Sequence, residues 1–192
     1  MNLRQILTAP NQLTLLRMIF LPFIVINLVK HDFKWAMALF ILAGISDGLD
    51  GLLARRLHQQ TLLGQYLDPI ADKLLMSTMF VVLSIERMIP WKYTILVFSR
   101  DISILMISGV LFMIAGLRDF RPSIFGKANT FAQIAAVAAV LLHQLTAAQW
   151  VAEVRMIALG ATMVLTVASG LHYAWVVSRR VGAPVNGSTG AR

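Results

Sequence analysis

No cysteine occurs among the 192 residues, which rules out a disulfide framework, a thiolate nucleophile and any metal site built on sulfur. The redox state of a compartment leaves no mark on such a chain. Charge is scarce as well: charged residues make up 14% of the sequence against 58% hydrophobic ones, outside the range of soluble globular domains. Negative charge is scarcest, with nine Asp and Glu in all. There is no internal repeat of the paired, broken-helix kind that transporters carry, and no sign of a second domain.

What is abundant is long apolar sequence. A hydrocarbon core about 30 Å thick takes roughly 20 apolar residues per helical crossing, and six such windows recur at about 13–30, 35–57, 67–89, 92–116, 128–148 and 151–178. The expected fold is therefore an all-α integral membrane domain of six transmembrane helices. It covers residues 1–178, followed by a flexible Gly-, Ser-, Pro- and Arg-rich tail at 179–192. Residues 1–10 set Leu3, Ile6 and Leu7 against Arg4 and Gln5, the pattern of a short amphipathic helix lying in the interface. The first window has no basic leader of signal type and no A-x-A cleavage pattern, so it reads as a retained helix.

The net charge of +8 is spread over the connections between windows, which argues against nucleic acid and for topology. Arg55/Arg56, Arg118/Arg121/Lys127 and Arg179/Arg180 fall on one side with the N-terminus. On the other, Lys30, Lys34, Arg87, Lys92 and Arg155 lie near Asp32, Glu86 or Glu153. Arginine and lysine excess marks the cytoplasmic face, placing both termini and the Arg55 connection in the cytoplasm, with anionic membrane lipids as partners. A bacterial inner membrane is the expected location. Local punctuation makes Asn11 the expected N-cap of the first helix. It also starts the third helix at Tyr66, with Pro69 in its first turn, where a missing N–H is tolerated.

The nine acids are not evenly spread. Four of them, Asp47, Asp50, Asp68 and Asp72, fall within 26 consecutive residues of the stretch SDGLDGLLARRLHQQTLLGQYLDPIADK, residues 46–73. Asp47 and Asp50 are spaced i, i+3 and Asp68 and Asp72 i, i+4, so each pair shares a helix face. Gathered at membrane depth, they would repel one another unless cations neutralise them. Two Mg²⁺ or Mn²⁺ ions held by oxygen ligands would do so, a recurrent device of phosphoryl transfer. Gly48, Gly51, Ala54 and Gly64 keep the backbone bare for a bulky phosphate-bearing group, and Arg55 offers a guanidinium suited to phosphate.

The pattern Asp47-x-x-Asp50-Gly51-x-x-Ala54-Arg55, eight residues, Gly64-x-x-x-Asp68-x-x-x-Asp72 resembles the signature of the CDP-alcohol phosphotransferases, as do PNQLTLLR in the first helix and DPIADK at the end of the motif. The resemblance implies a homodimer of six-helix subunits that moves a substituted phosphate from a CDP-linked donor, here CDP-diacylglycerol, to an alcohol and releases CMP. It assigns Asp47, Asp50, Asp68 and Asp72 to two metal ions, with Asp72 also the general base. Asp47, Gly48, Asp50, Gly51, Ala54, Arg55, Gly64 and Asp68 would hold the CDP. His31, His58, His143 and His172 lack the H-x-K pattern of the histidine-nucleophile route and read as structural or interfacial.

The acceptor candidates are Lys73, Arg100, Asp101, Lys127 and Asn129. Ser99-Arg100-Asp101 and Lys127-x-Asn129-Thr130 resemble the eukaryotic-type cardiolipin synthases, whose acceptor is phosphatidylglycerol. Phosphatidylglycerophosphate synthases, which take glycerol 3-phosphate, usually carry a second helix-4 arginine and a second lysine where Asn129 stands. Blander readings are an ion pair for Arg100 and Asp101 that only offsets its own burial, and interhelical hydrogen bonding for Asn129 and Gln133; Gly44-x-x-x-Gly48 reads as a helix-packing motif as well as part of the site, since close helix approach narrows the groove. A cation-coupled transporter is the remote alternative. It would need a polar path to the far side, where the last two helices offer only His143, Thr162, Thr166 and Ser169.

Overall fold

A computed structural model describes the backbone at residues 9–56, 62–115, 124–146 and 148–181. Side chains are described at 15–48, 71–107, 124–146, 148–176 and 178. The described residues form six helices: α1 (Ala9–Val29), α2 (Phe33–Arg56), α3 (Leu62–Ile85), α4 (Trp91–Ala115), α5 (Ile124–Leu145) and α6 (Gln149–Val181). Each apolar window thus becomes one helix. The proposed interfacial helix and the tail lie outside the described residues.

Two boundaries differ from expectation. α1 starts at Ala9, so Asn11 lies inside the helix, not at its cap, and Pro10 occupies the first turn, where its missing N–H breaks nothing. α3 starts at Leu62, four residues before Tyr66, so Pro69 is its eighth residue and not in its first turn. A proline there removes one bond from the helical ladder.

α1 packs on α2 and α3, α5 on α6, α2 and α3, and α4 on α3 and α6. The core they enclose is apolar over much of its length: Ile24, Leu28, Phe40, Met79, Phe80, Leu83, Val137 and Leu141 are all buried. The outside is apolar too, with Ile157, Val164 and Leu171 of α6 about 70% exposed. Among the described residues two helices are long and apolar enough to cross a membrane, Ile124–Leu145 and Gln149–Val176 of α6, and α1 adds a shorter apolar run at Leu15–Val29. The other helices interleave charge with apolar residues, Asp47 in α2, Asp72 and Lys73 in α3, Arg100 and Asp101 in α4.

Tight turns join α1 to α2 and α3 to α4 at one end of the bundle. His31 and Arg87 adopt left-handed backbone conformations, with φ of 59° and 57°. Around each, the next residue reaches back: Asp32 N–H donates to the Asn27 carbonyl at 2.8 Å and Met88 N–H to the Leu83 carbonyl at 2.8 Å. These are Schellman closures, in which glycine is the usual occupant. The two turns meet where His31 Nδ1 lies 3.8 Å from a Glu86 carboxylate oxygen. His31 thus lies in a helix-connecting turn, away from the acidic motif.

Candidate active site

At the opposite end, the continuous helix α2 carries Asp47, Gly48, Asp50, Gly51, Ala54 and Arg55, and α3 carries Gly64, Asp68 and Asp72. The i, i+3 and i, i+4 spacings of the four acids are therefore helical spacings in fact. The side chains of Asp50, Gly51, Ala54, Arg55, Gly64 and Asp68 lie outside the described residues. Asp47 and Asp72 line one cavity of about 320 Å³, between α2 and α3 with walls from α1 and α5.

Asp47 already holds a cation. Arg17, in the middle of α1 and 1% exposed, places a guanidinium nitrogen 2.7 Å from Asp47 Oδ1. Arg17 also lines the cavity. The sequence reading passed over Arg17, quoting it only as the last letter of PNQLTLLR. An arginine in the middle of an apolar window was itself the signal, since such a residue needs a partner or a function.

A divalent ion fits this chemistry. Carboxylate oxygens are the ligands that Mg²⁺ and Mn²⁺ prefer, and the guanidinium at Asp47 stands where positive charge is needed. Among the described residues no group of three or more His, Asp or Glu gathers at ligand spacing, so Asp47 and Asp72 form the described half of the acidic set. Gly48 behaves as expected of a bare backbone: a Cβ built there meets nothing within 4 Å. The same holds for Gly44, so among the described residues no helix packs against the Gly44-x-x-x-Gly48 face. Among the described residues the packing part of that motif's expected role finds no partner helix, and α2 meets its neighbours through Ala36, Phe40 and Ala43.

Of the acceptor candidates, three converge. Asp101, 7% exposed, accepts from Lys73 Nζ at 2.8 Å and from an Arg100 guanidinium nitrogen at 2.6 Å. Neighbouring residues on a helix point in different directions, so Arg100 must fold back to reach Asp101, and its other terminal nitrogen donates to Ser169 Oγ on α6 at 2.6 Å. The ion pair is thus real, and Lys73 shares it. Asn129 is fully buried and accepts from Thr166 Oγ1 at 2.9 Å, the interhelical bond expected of it. Gln133, 1% exposed, makes no such bond among the described residues, and both atoms of its amide are unpartnered. Lys127 is exposed on the first turn of α5 and stands apart from the triad.

The described residues thus define an all-helical protein of six helices with an apolar outside and two carboxylates lining a cavity. The CDP-alcohol phosphatidyltransferase family model matches residues 7–168, and the chain belongs to that family of enzymes. It is similar to a putative cardiolipin synthase of Mycobacterium tuberculosis, 33% identical over 143 residues, 73% of this chain and 67% of that protein. It is also similar to the CDP-diacylglycerol–glycerol-3-phosphate 3-phosphatidyltransferase of Bacillus subtilis, 33% identical over 182 residues, 85% of this chain and 92% of that protein. The CMP-forming cardiolipin synthase of Homo sapiens is 32% identical over 152 residues, 70% of this chain and half of that protein.

Proposed function

We propose that this enzyme transfers the phosphatidyl group of CDP-diacylglycerol to phosphatidylglycerol, forming cardiolipin and releasing CMP, as a homodimer of six transmembrane helices. Its site faces the cytoplasm of a bacterial inner membrane. The observation that carries the choice of acceptor is the Lys73–Asp101–Arg100 triad: one buried carboxylate takes up both cations, so the cluster presents a net charge of +1. A phosphodiester with one negative charge suits it. A phosphomonoester with about two would remain half-compensated, and uncompensated buried charge is expensive.

Asp47, Asp50, Asp68 and Asp72 would hold two divalent ions, which when bound draw charge from the diphosphate and ease the departure of CMP. Asp72 takes the proton of the acceptor hydroxyl. The hydroxyl oxygen then forms its bond to the phosphorus that carries diacylglycerol, and the bond from that phosphorus to the CMP oxygen breaks. Gly48 lets the diphosphate approach the α2 backbone, and Arg17 keeps Asp47 turned toward the cavity.

A second reading takes glycerol 3-phosphate as acceptor. It is favoured by the similarity to the Bacillus subtilis enzyme along 92% of that protein's length, and by Lys127, which stands exposed on α5 outside the triad. Labelled CDP-diacylglycerol supplied in turn with phosphatidylglycerol and glycerol 3-phosphate separates the two. Cardiolipin is the expected product; phosphatidylglycerophosphate without cardiolipin would transfer the chain to the second reading.

A further inference from the structure

We infer that Thr166 and Ser169, two buried hydroxyls on one face of α6, are positioning residues that aim Asn129 of α5 and Arg100 of α4 at the acceptor, a role that rests on the proposal that those two side chains meet it. α6 supplies none of the acceptor candidates, yet it holds two of them. Thr166 Oγ1 donates to Asn129 Oδ1 at 2.9 Å, and Ser169 Oγ accepts from an Arg100 guanidinium nitrogen at 2.6 Å. The two hydroxyl residues are three positions apart, so they share a helix face with Cβ atoms about 5–6 Å from each other. Both are 1% exposed. Buried to that degree, their hydrogen bonds are shielded from competition with water and are the stronger for it.

Two observations separate aiming from plain helix packing. The first is the way Arg100 is held. Asp101 fixes one side of its guanidinium, and a group tied at one side only is free to swing about that tie. Ser169 ties the other side. The stem is held as well, since a Cβ built on Gly170 would meet Arg100 Cγ at 3.9 Å, an ordinary contact distance that sets the α6 backbone alongside the stem. The second observation is what these bonds leave over. Arg100 Nε and Asn129 Nδ2 are buried without an acceptor, and a bond that served packing alone would gain little while stranding such donors. Thr166 satisfies the amide oxygen and Ser169 one end of the guanidinium, so each side chain is fixed with an N–H to spare. Phosphate oxygens are the partners that such donors bind most strongly. Thr162, one turn away on the same face and fully buried, gives the contrast: its hydroxyl donates to the Ala158 carbonyl of its own helix at 2.9 Å. A bond inside one helix aims nothing on another.

The test is steady-state kinetics of the full chain in phosphatidylcholine vesicles, with phosphatidylglycerol and CDP-diacylglycerol varied separately. Ser169→Ala should raise KM for phosphatidylglycerol about tenfold and Thr166→Val about fivefold, the loss of one bond to a charged and to a neutral partner, while KM for the donor shifts less than about twofold. Thr166→Ser and Ser169→Thr keep the hydroxyl and should stay within about twofold of the parent, as should Thr162→Val. In an Arg100→Gln background Ser169→Ala should add less than about twofold, because the group it aimed is gone. Equal rises in both KM values, a loss of kcat that merely follows the melting temperature, or a full further tenfold on top of Arg100→Gln would overturn the inference and reduce both residues to packing. If Ser169→Ala does not fold, or Arg100→Gln is too slow to measure, Thr166→Val and Thr166→Ser carry the comparison, with Asn129→Leu as the background. The acceptor proposal fails separately. A parent that forms phosphatidylglycerophosphate and no cardiolipin overturns that proposal, and the same variants are then read on KM for glycerol 3-phosphate, whose phosphate oxygens ask for the same donors.

Discussion

Where α1 and α3 end, backbone hydrogen bonds close each helix around His31 and Arg87, and the core beside those turns is Leu28, Leu83 and Ile89. Elsewhere in the bundle charges are held by one another, with at least one buried partner in each set: Arg17 on Asp47, and Lys73 and Arg100 on Asp101. One end is stabilised by packing and ladder hydrogen bonds, which tolerate exchange of similar residues. The other depends on pairs, in which losing one partner strands the second in low dielectric. The difference agrees with the proposed placing of the chemistry at the charged end, because buried charge is a poor route to stability.

The sharpest way to break this contrast is at Asp72. Asp72→Asn should lower turnover by roughly 10² to 10⁴, the usual range for a positioned acid or base, with little loss of melting temperature and retained CDP-diacylglycerol binding. If donor binding falls as much as turnover, Asp72 serves only as a ligand.

Next in size is Asp101→Leu. It leaves Lys73 and Arg100 without their shared carboxylate, and about 3–5 kcal/mol of stability should go with it, read as an early unfolding transition in detergent. A variant as stable as the parent would mean that the triad is solvated in the membrane and not held as a closed pair.

Arg17→Gln should cost less, because what it removes is replaceable. Without divalent ions the variant should melt well below the parent, and Mg²⁺ should restore more of its stability than it adds to the parent, since the ions then supply the charge that Arg17 gave Asp47. If neither protein responds to Mg²⁺, the two-ion proposal falls. An equal response from both would remove Arg17 from its supporting role.

The smallest effect belongs to the far end, and its sign is opposite. Arg87→Gly relieves a left-handed residue, so a gain of up to about 1 kcal/mol is expected, with activity unchanged. A loss of activity there would erase the contrast between the ends.

Much of this was legible before any coordinates. The six helices followed from apolar runs separated by polar connections, and their bounds needed small corrections. The largest was at α3, where residues 62–65 continue a helix that the proline had seemed to begin. The acidic motif carried its own geometry, because i, i+3 and i, i+4 spacings mean one face on any helix. Partnerships between distant residues were not legible. Lys73 and Asp101 are 28 positions apart, and nothing in either neighbourhood tells that one carboxylate will serve two cations. Gly44-x-x-x-Gly48 failed for a different reason: a bare helix face serves a neighbouring helix or an open groove equally well, and only the surroundings decide.

The Arg17–Asp47 pair also bears on how such a protein is made. An arginine near the centre of a lone helix opposes its entry into the membrane by roughly 2.5–3.5 kcal/mol, and Arg17 is the ninth of the 21 residues of α1. Its counter-ion arrives only when α2 has been synthesised. In the proposed membrane setting the two helices should therefore leave the translocon as a hairpin, with the first waiting for the second. Arrested nascent chains ending before Asp47 would report this as incomplete insertion of α1, cured by extending the chain past that residue but not when Asp47 is replaced by leucine.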